Sequence, residues 1–157
     1  MIKYVWFFFG LILAVSCTKQ TEVVTVQEQF DTDKAIIRNY LAEKGIKADS
    51  TKNGLYYTYV SKGTDTISPA LSDTAKVYYL GYFTSGKVFD KRLKPNPPFE
   101  FAITSVIPAW QEALPIMKKG DKITIFSPSI LGYGVNGSGS IPGNSVLIFD
   151  IELQDFY

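Results

Sequence analysis

The first regular pattern of apolar and polar positions along the chain predicts a short amphipathic helix. Polar side chains at residues 31–33 can cap a helix over residues 33–44, and Gly45 suits its C-terminal cap. The apolar stripe of this helix consists of Ile36, Ile37, Tyr40 and Leu41. We expect the stripe to dock on the rest of the domain, and a role in binding a partner is the alternative.

Runs of β-branched and aromatic residues downstream predict strands separated by turns. The strands are placed at residues 55–61, 74–83, 88–90, 99–101, 121–128 and 145–154. Turns are expected at Asn53-Gly54 and at residues 85–87.

One helix is expected between these strands, over residues 107–114. Pro108 suits its first turn, Ser105 or Thr104 can cap it, and Pro115 limits its length. Antiparallel strands with one short helix on a sheet face define an α+β fold class.

The amino-acid composition excludes several kinds of catalytic chemistry, whereas it says less about the fold. With 157 residues and 46% apolar content, one compact domain is the expectation. A formal net charge of +1 argues against a nucleic-acid partner. The chain has no histidine and one cysteine, which excludes Ser-His-Asp and Cys-His catalysis and an intrachain disulfide. We therefore expect no metal and no cofactor.

The first seventeen residues have the pattern of an export signal. Lys3 precedes an apolar run over residues 5–15, which is too short for a standard membrane span and fits a secretory signal. The run ends in small residues before Cys17, an arrangement that resembles a bacterial lipoprotein signal cleaved before a lipid-modified cysteine. Leucine, and not Ala14, is usual three places before that cysteine. An ordinary signal peptide or an uncleaved anchor with a chance cysteine is the alternative.

These patterns divide the chain into four segments. Residues 1–16 are predicted to be a signal peptide, 17–30 a polar tether, 31–52 an N-terminal helical segment and 53–157 the main domain. Two or more acyl chains hold a protein stably on a bilayer. We expect a domain anchored to a membrane of the cell envelope through Cys17 and facing the periplasm, with the choice of membrane left open.

A glycine pattern at residues 132–137 fits G-x-G-x-x-G, the signature of a dinucleotide site. Such a site requires the glycines to open a helix, with an acidic residue about twenty positions later. Here Pro142 and a strand follow instead. A surface loop is the better interpretation.

A series of aromatic blocks identifies a family resemblance. The blocks lie, in order, at residues 77–82, 88–90, 106–110, 128–134, 141–145 and 147–150. In this order and spacing they resemble the FKBP-type peptidyl-prolyl cis-trans isomerases over roughly residues 53–157. The resemblance implies an antiparallel sheet of five or six strands wrapped around a short helix. More loosely, the lipoprotein start and the preceding helix resemble FKBP-type lipoproteins of gliding Bacteroidetes.

The resemblance also implies a pocket for a proline ring between helix and sheet, with Trp110 as its floor. Asp90 and Tyr133 would supply polar side chains, the backbone N–H of Ile107 would bond a substrate carbonyl, and Ile141 would lie on a covering loop. The walls would consist of Tyr79, Phe89, Phe99, Val106, Ile107 and Phe149. Taken singly, Trp110 and Phe149 fit core residues better than pocket residues. For Asp90 the alternative is a turn or capping residue, and for Tyr133 a tyrosine in a surface turn.

The implied activity is isomerisation of X-Pro bonds in proline-containing polypeptides by a monomer, without a covalent intermediate or cofactor. The alternative is an FKBP-fold binding or chaperone module, or a component of an envelope machine, with weak or no isomerase activity. Ala109, Gly132 and Gly143 depart from the family's usual Gly, Ala and Pro. These departures bear on affinity and sequence preference more than on the reaction.

Overall fold

The computed structural model describes residues 24–157. The predicted signal peptide, Cys17 and the first part of the predicted tether lie outside the described residues. Within residues 24–157, no helix has both the length and the apolar character needed to cross a membrane.

The N-terminal helix α1, Val26–Lys44, begins seven residues earlier than predicted. Its N-cap is Thr25, whose Oγ1 accepts from Glu28 N at 3.2 Å while Glu28 Oε2 accepts from Thr25 N at 2.8 Å. This capping box satisfies two otherwise unpaired donors, so the helix starts there. The predicted cap at residues 31–33 and the predicted end of the tether at residue 30 are therefore wrong. Gly45, in the left-handed conformation with φ 64°, ends the helix as predicted.

Seven strands in residues 24–157 form one antiparallel sheet. They are β1 Asp49–Ser50, β2 Tyr56–Ser61, β3 Thr74–Phe83, β4 Val88–Arg92, β5 Phe99–Ala102, β6 Lys122–Ser127 and β7 Leu147–Phe156. The order is β1-β2-β6-β7-β3-β4, and β5 also pairs with β3. The strand beyond the expected five or six is β1, whose two residues are too few to leave a hydrophobic pattern.

The helix α2, Pro108–Ala113, packs on one face of this sheet. Pro108 occupies its first turn as predicted, but the expected side-chain cap is absent from this helix: Ile107 is the N-cap and makes no side-chain cap hydrogen bond. The hydroxyl of Ser105 instead donates to Ala102 O at 2.7 Å. Residues Ile103–Ser105 form a 3-10 turn whose N-cap is Ala102, so this hydrogen bond lies within that turn and not at the start of α2.

The helix α1 covers part of the other sheet face. Ile37 and Leu41 are buried against a second apolar cluster formed by Phe126, Val146 and Ile148. The predicted docking of the stripe is therefore observed, except that Ile36 is 40% exposed. Helix α1 is an integral layer of the domain.

Candidate functional site

A cavity of about 470 Å³ lies where α2 meets the sheet. Its lining contains all ten side chains that the sequence predicted for the site. They are Tyr79, Phe89, Asp90, Phe99, Val106, Ile107, Trp110, Tyr133, Ile141 and Phe149. Ser105, Ser138, Gly139 and Ser140 also line the cavity, and the sequence analysis did not single them out as contacts. We call this cavity the pocket.

Trp110 forms the floor of the pocket from the first turn of α2. Its ring is 4% exposed and stands nearly perpendicular to the rings of Tyr79 and Phe149, with centroid distances of 5.1 and 5.4 Å. Edge-to-face contacts of this kind are a preferred aromatic geometry. Each ring therefore holds the others in place, and the floor is rigid and apolar.

The indole nitrogen of Trp110 is buried and has no hydrogen-bond partner among residues 24–157. An unpaired buried donor costs about 1–3 kcal/mol of stability. The indole ring therefore supplies apolar surface to the floor, while its unpaired N–H lowers the free energy of unfolding.

Gly81 allows two aromatic walls of the pocket to meet. A Cβ at this position of β3 would lie 2.7 Å from Phe89 Cε2 and 3.0 Å from Phe149 Cε1. The two rings pack edge to face above the glycine, with centroids 5.5 Å apart. This role could not be predicted, because a glycine inside a strand gives no direct sign in the sequence of what packs over it.

Asp90 provides a fixed carboxylate at the rim. The β3–β4 register pairs Gly81 with Asp90, and Tyr79 OH donates to Asp90 Oδ2 at 2.7 Å. The backbone N–H of Lys91 donates to Asp90 Oδ1 at 2.8 Å. Both carboxylate oxygens are thus held, and the orientation of Asp90 is set before any ligand arrives.

Burial and proximity to Asp90 raise the pKa of two tyrosine hydroxyls in the pocket. Burial, followed by the hydrogen bond to Asp90, raises the pKa of Tyr79 above its ordinary value. Burial and the charge of Asp90 also raise the pKa of Tyr133. A tyrosine hydroxyl is already neutral at pH 7, and the raised pKa of these two extends their neutral, hydrogen-bond-donating form further into the alkaline range. Among residues 24–157, no three His, Cys, Asp or Glu side chains form a group that could hold a metal ion.

The segment before α2 is held by Gln111, a residue that the sequence analysis did not consider. Its Nε2 donates to Val106 O at 2.7 Å and to Thr104 O at 3.3 Å. Ile107 follows as the N-cap, and its carbonyl oxygen accepts from Trp110 N at 2.9 Å. The amide side chain of Gln111 therefore fixes the backbone at the entrance to α2.

A tight loop forms the opposite rim. Ser138 and Ile141 exchange two backbone hydrogen bonds of 2.9 and 2.8 Å, which directs Ser138, Gly139 and Ser140 along the pocket. A Cβ on Gly137 would overlap Ile141 O, so this position requires glycine. The G-x-G-x-x-G pattern thus belongs to a pocket loop, and it is followed by β7.

Tyr133 follows a 3-10 turn at Ser129–Leu131 that the sequence analysis did not predict. We call residues 129–134 the Tyr133 loop. The carbonyl oxygen of Ser129 accepts from Gly132 N at 2.9 Å and from Gly134 N at 2.8 Å. The two residues that flank Tyr133 are therefore tied to one atom.

An antiparallel sheet packed on a short helix, with an aromatic pocket between them, defines a class of small α+β domains with a cavity between helix and sheet. Residues 65–154 match the family described as FKBP-type peptidyl-prolyl cis-trans isomerase. The chain belongs to this family, so the predicted family and fold are confirmed.

Similar proteins are known from several bacteria. The FKBP-type peptidyl-prolyl cis-trans isomerase FkpA of Aeromonas hydrophila is 38% identical over 152 residues, covering 84% of this chain and 56% of that protein. The crystal structure of FkpA from Escherichia coli covers 83% of this chain and 62% of that chain, with a TM-score of 0.71 and 35% identity. A peptidyl-prolyl cis-trans isomerase structure from Pseudomonas syringae pv. tomato covers 84% and 96%, with a TM-score of 0.68 and 28% identity. A probable FKBP-type peptidyl-prolyl cis-trans isomerase of Haemophilus influenzae is 40% identical over 147 residues, covering 91% of this chain and 58% of that protein. The chain therefore spans less than three fifths of the length of these two curated relatives.

Proposed function

We propose that this protein catalyses cis-trans isomerisation of X-Pro peptide bonds in polypeptides. The observation that carries the proposal is the convergence of ten predicted side chains on one pocket with an apolar floor and a fixed polar rim. Family membership supports the same activity. The substrates we propose are exported or envelope proteins whose folding rate is limited by proline isomerisation.

The pocket suits the physical demands of this reaction. Rotation about a peptide bond has a barrier of ~18–20 kcal/mol because it breaks C–N resonance. X-Pro bonds have a sizeable cis population and interconvert over tens to hundreds of seconds. The planar amide is polar and well solvated by water, whereas the twisted amide is less polar. An apolar floor of Trp110 and Phe149 therefore favours the twisted state over the planar one.

The polar groups around the floor hold the flanking peptide units. The N–H of Ile107 stands at the N-terminus of α2, where a backbone donor has no partner within its own helix, and it would donate to a substrate carbonyl. Tyr133 OH would donate from the facing loop, and Asp90 would orient the substrate through its fixed carboxylate. No covalent bond forms, so these groups act by position and electrostatics.

The isomerase assay separates an enzyme from a binding module. Exchange between the cis and trans forms of a short X-Pro peptide is measured by NMR with the full chain in detergent micelles. We expect acceleration by the parent and a large loss in Asp90→Ala and Tyr133→Phe. Asp49→Ala is the matched control, because this exposed aspartate lies on β1 outside the pocket lining. Peptide binding without acceleration would favour the binding-module alternative and contradict the enzyme.

We further propose that a lipid on Cys17 anchors the domain to an envelope membrane, facing the periplasm. The support is the apolar run over residues 5–15 and the position of the only cysteine. We also propose that the active unit is a monomer; the support is that the ten predicted site residues come together within a single chain. Cys17→Ser should move the protein from the membrane fraction to the soluble fraction, and continued membrane association would contradict lipidation.

A further inference from the structure

Helix α1 carries a buried carboxylate that bonds to the Tyr133 loop. Asp33 is fully buried, and its Oδ2 accepts from Ser129 N at 2.7 Å and from Ser129 Oγ at 2.6 Å. Its Oδ1 accepts from Gln29 Nε2 at 2.7 Å. Burying a charge is unfavourable unless its oxygens are bonded, so the position of Asp33 is tightly coupled to that of Ser129.

Ser129 passes this restraint on to Tyr133. Its N–H and hydroxyl donate to Asp33, while its carbonyl oxygen accepts from Gly132 N and Gly134 N. These last two residues lie directly before and after Tyr133. A path of hydrogen bonds between 2.6 and 2.9 Å therefore runs from α1 to the tyrosine of the pocket rim.

Apolar contacts keep the loop from moving independently of this path. Leu131 packs against the main core, and a Cβ on Gly132 would lie 3.0 Å from Leu147 Cδ1. Ile130, at the exposed edge of the loop, lines a second cavity together with Val26 and Phe30 of α1. The loop therefore has close packing on the core side and α1 on the other.

We infer that Asp33 is a positioning residue that holds the Tyr133 loop, and thereby Tyr133, at the rim of the pocket. Asp33 is not among the lining residues, so it acts through Ser129. Its effect on catalysis rests on the proposed isomerase function, whereas its effect on the loop does not. Helix α1 therefore positions a residue of the site in addition to covering one face of the sheet.

The experiment compares Asp33→Ala with Asp31→Ala in the full chain in detergent micelles. Asp31 lies on the same helix but is exposed, and it bonds only to Gln27 and Lys34 among residues 24–157. Hydrogen–deuterium exchange is followed by mass spectrometry for residues 129–137, with β6 as the internal reference. We expect exchange in the loop to become about tenfold faster in Asp33→Ala and to stay unchanged in Asp31→Ala. Equal acceleration in β6, or no change in the loop, would overturn the inference.

Two milder variants test the same inference in case Asp33→Ala does not fold. Asp33→Asn keeps one acceptor for Ser129, while the amide of Gln29 can turn over to accept from the new amide, so loop exchange should be nearly that of the parent. Ser129→Ala removes the hydroxyl donor and keeps the N–H, so its loop exchange should lie between the two. A loop in Ser129→Ala that exchanges as slowly as in the parent would contradict the path.

Activity provides the second readout. We expect kcat/KM for the X-Pro peptide to fall about three- to tenfold in Asp33→Ala. In a Tyr133→Phe background the same change should have a smaller effect, because the group being positioned is already altered. Additive losses would overturn the link to Tyr133. If the parent has no isomerase activity, the proposed function fails, and the exchange measurements still decide whether Asp33 holds the loop.

Discussion

The hydroxyl of Tyr79 donates a 2.7 Å hydrogen bond to Asp90 on the neighbouring strand, while its ring packs edge to face on Trp110. One side chain thus joins the apolar floor of the pocket to its charged rim. We expect a movement of Trp110 to be passed through Tyr79 to the Asp90 carboxylate. We expect the two halves of the site to respond together to substitution.

Removing only this hydroxyl tests the coupling. Tyr79→Phe keeps the ring on Trp110 and leaves Asp90 with one fewer donor. A single hydrogen bond contributes about 0.5–1.5 kcal/mol, so kcat/KM for an X-Pro peptide should fall about two- to tenfold. Tyr157→Phe is the control, because its hydroxyl bonds Glu100 away from the pocket. Equal activity of the two variants would show that the Tyr79 hydroxyl does not orient Asp90.

Enlarging Gly81 should disturb the walls directly. The new methyl group of Gly81→Ala overlaps Phe89 and crowds Phe149, and overpacking of a core typically destabilises a protein by about 1–3 kcal/mol. We expect a lower free energy of unfolding in urea and a raised KM. Gly86→Ala is the comparison: it has open space but a φ of 83°, so it should reduce stability without changing KM. An unchanged KM in Gly81→Ala would mean that the two rings can separate without effect on binding.

Two adjacent isoleucines of α1 test whether this helix is part of the folded domain. Ile37 is 1% exposed and Ile36 is 40% exposed. Ile37→Ala should lower the free energy of unfolding by about 2–5 kcal/mol, whereas Ile36→Ala should have a much smaller effect. Chemical denaturation of both variants measures the difference. Similar values would indicate that α1 unfolds separately from the sheet.

Tyrosine ionisation should set the alkaline limit of stability. Burial raises the pKa of Tyr79 and, together with Asp150, that of Tyr82. A raised pKa in the folded state favours the neutral form, so this contribution is complete below the unfolded pKa of about 10 and is lost as pH rises above it. The free energy of unfolding should therefore fall above about pH 10. In the Tyr79→Phe/Tyr82→Phe double variant the fall should be shallower, and an identical slope would contradict this assignment.

Much of the fold could be predicted because it depends on local patterns. The limits of β3 agree with the prediction because its run of apolar and aromatic residues ends at turn residues. The start of α1 was misplaced although Thr25 and Glu28, at capping-box spacing, were visible in the sequence. The polar triplet at residues 31–33 was an equally plausible cap when only local sequence was considered.

The residues that line the pocket could be predicted from the sequence, but the contacts that hold them in position could not. The family resemblance supplied ten residues that line the pocket, among them Phe99, which lies outside the six aromatic blocks. The bond from Asp33 to Ser129 joins residues 96 positions apart, and no local pattern links them. The close packing of Phe89 and Phe149 over Gly81 also depends on the folded structure. The same is true of the hydrogen bond from Gln111 to the carbonyl oxygen of Val106.

The position of Trp110 at the floor also gives the protein an optical reporter. The only other tryptophan, Trp6, lies in the segment predicted to be a signal peptide, so a chain cleaved before Cys17 would emit from Trp110 alone. A proline ring packed against this indole would change the surroundings of the ring and thereby its emission. Ligand occupancy, local loosening and global unfolding of the domain can thus be followed through one native fluorophore, without a label.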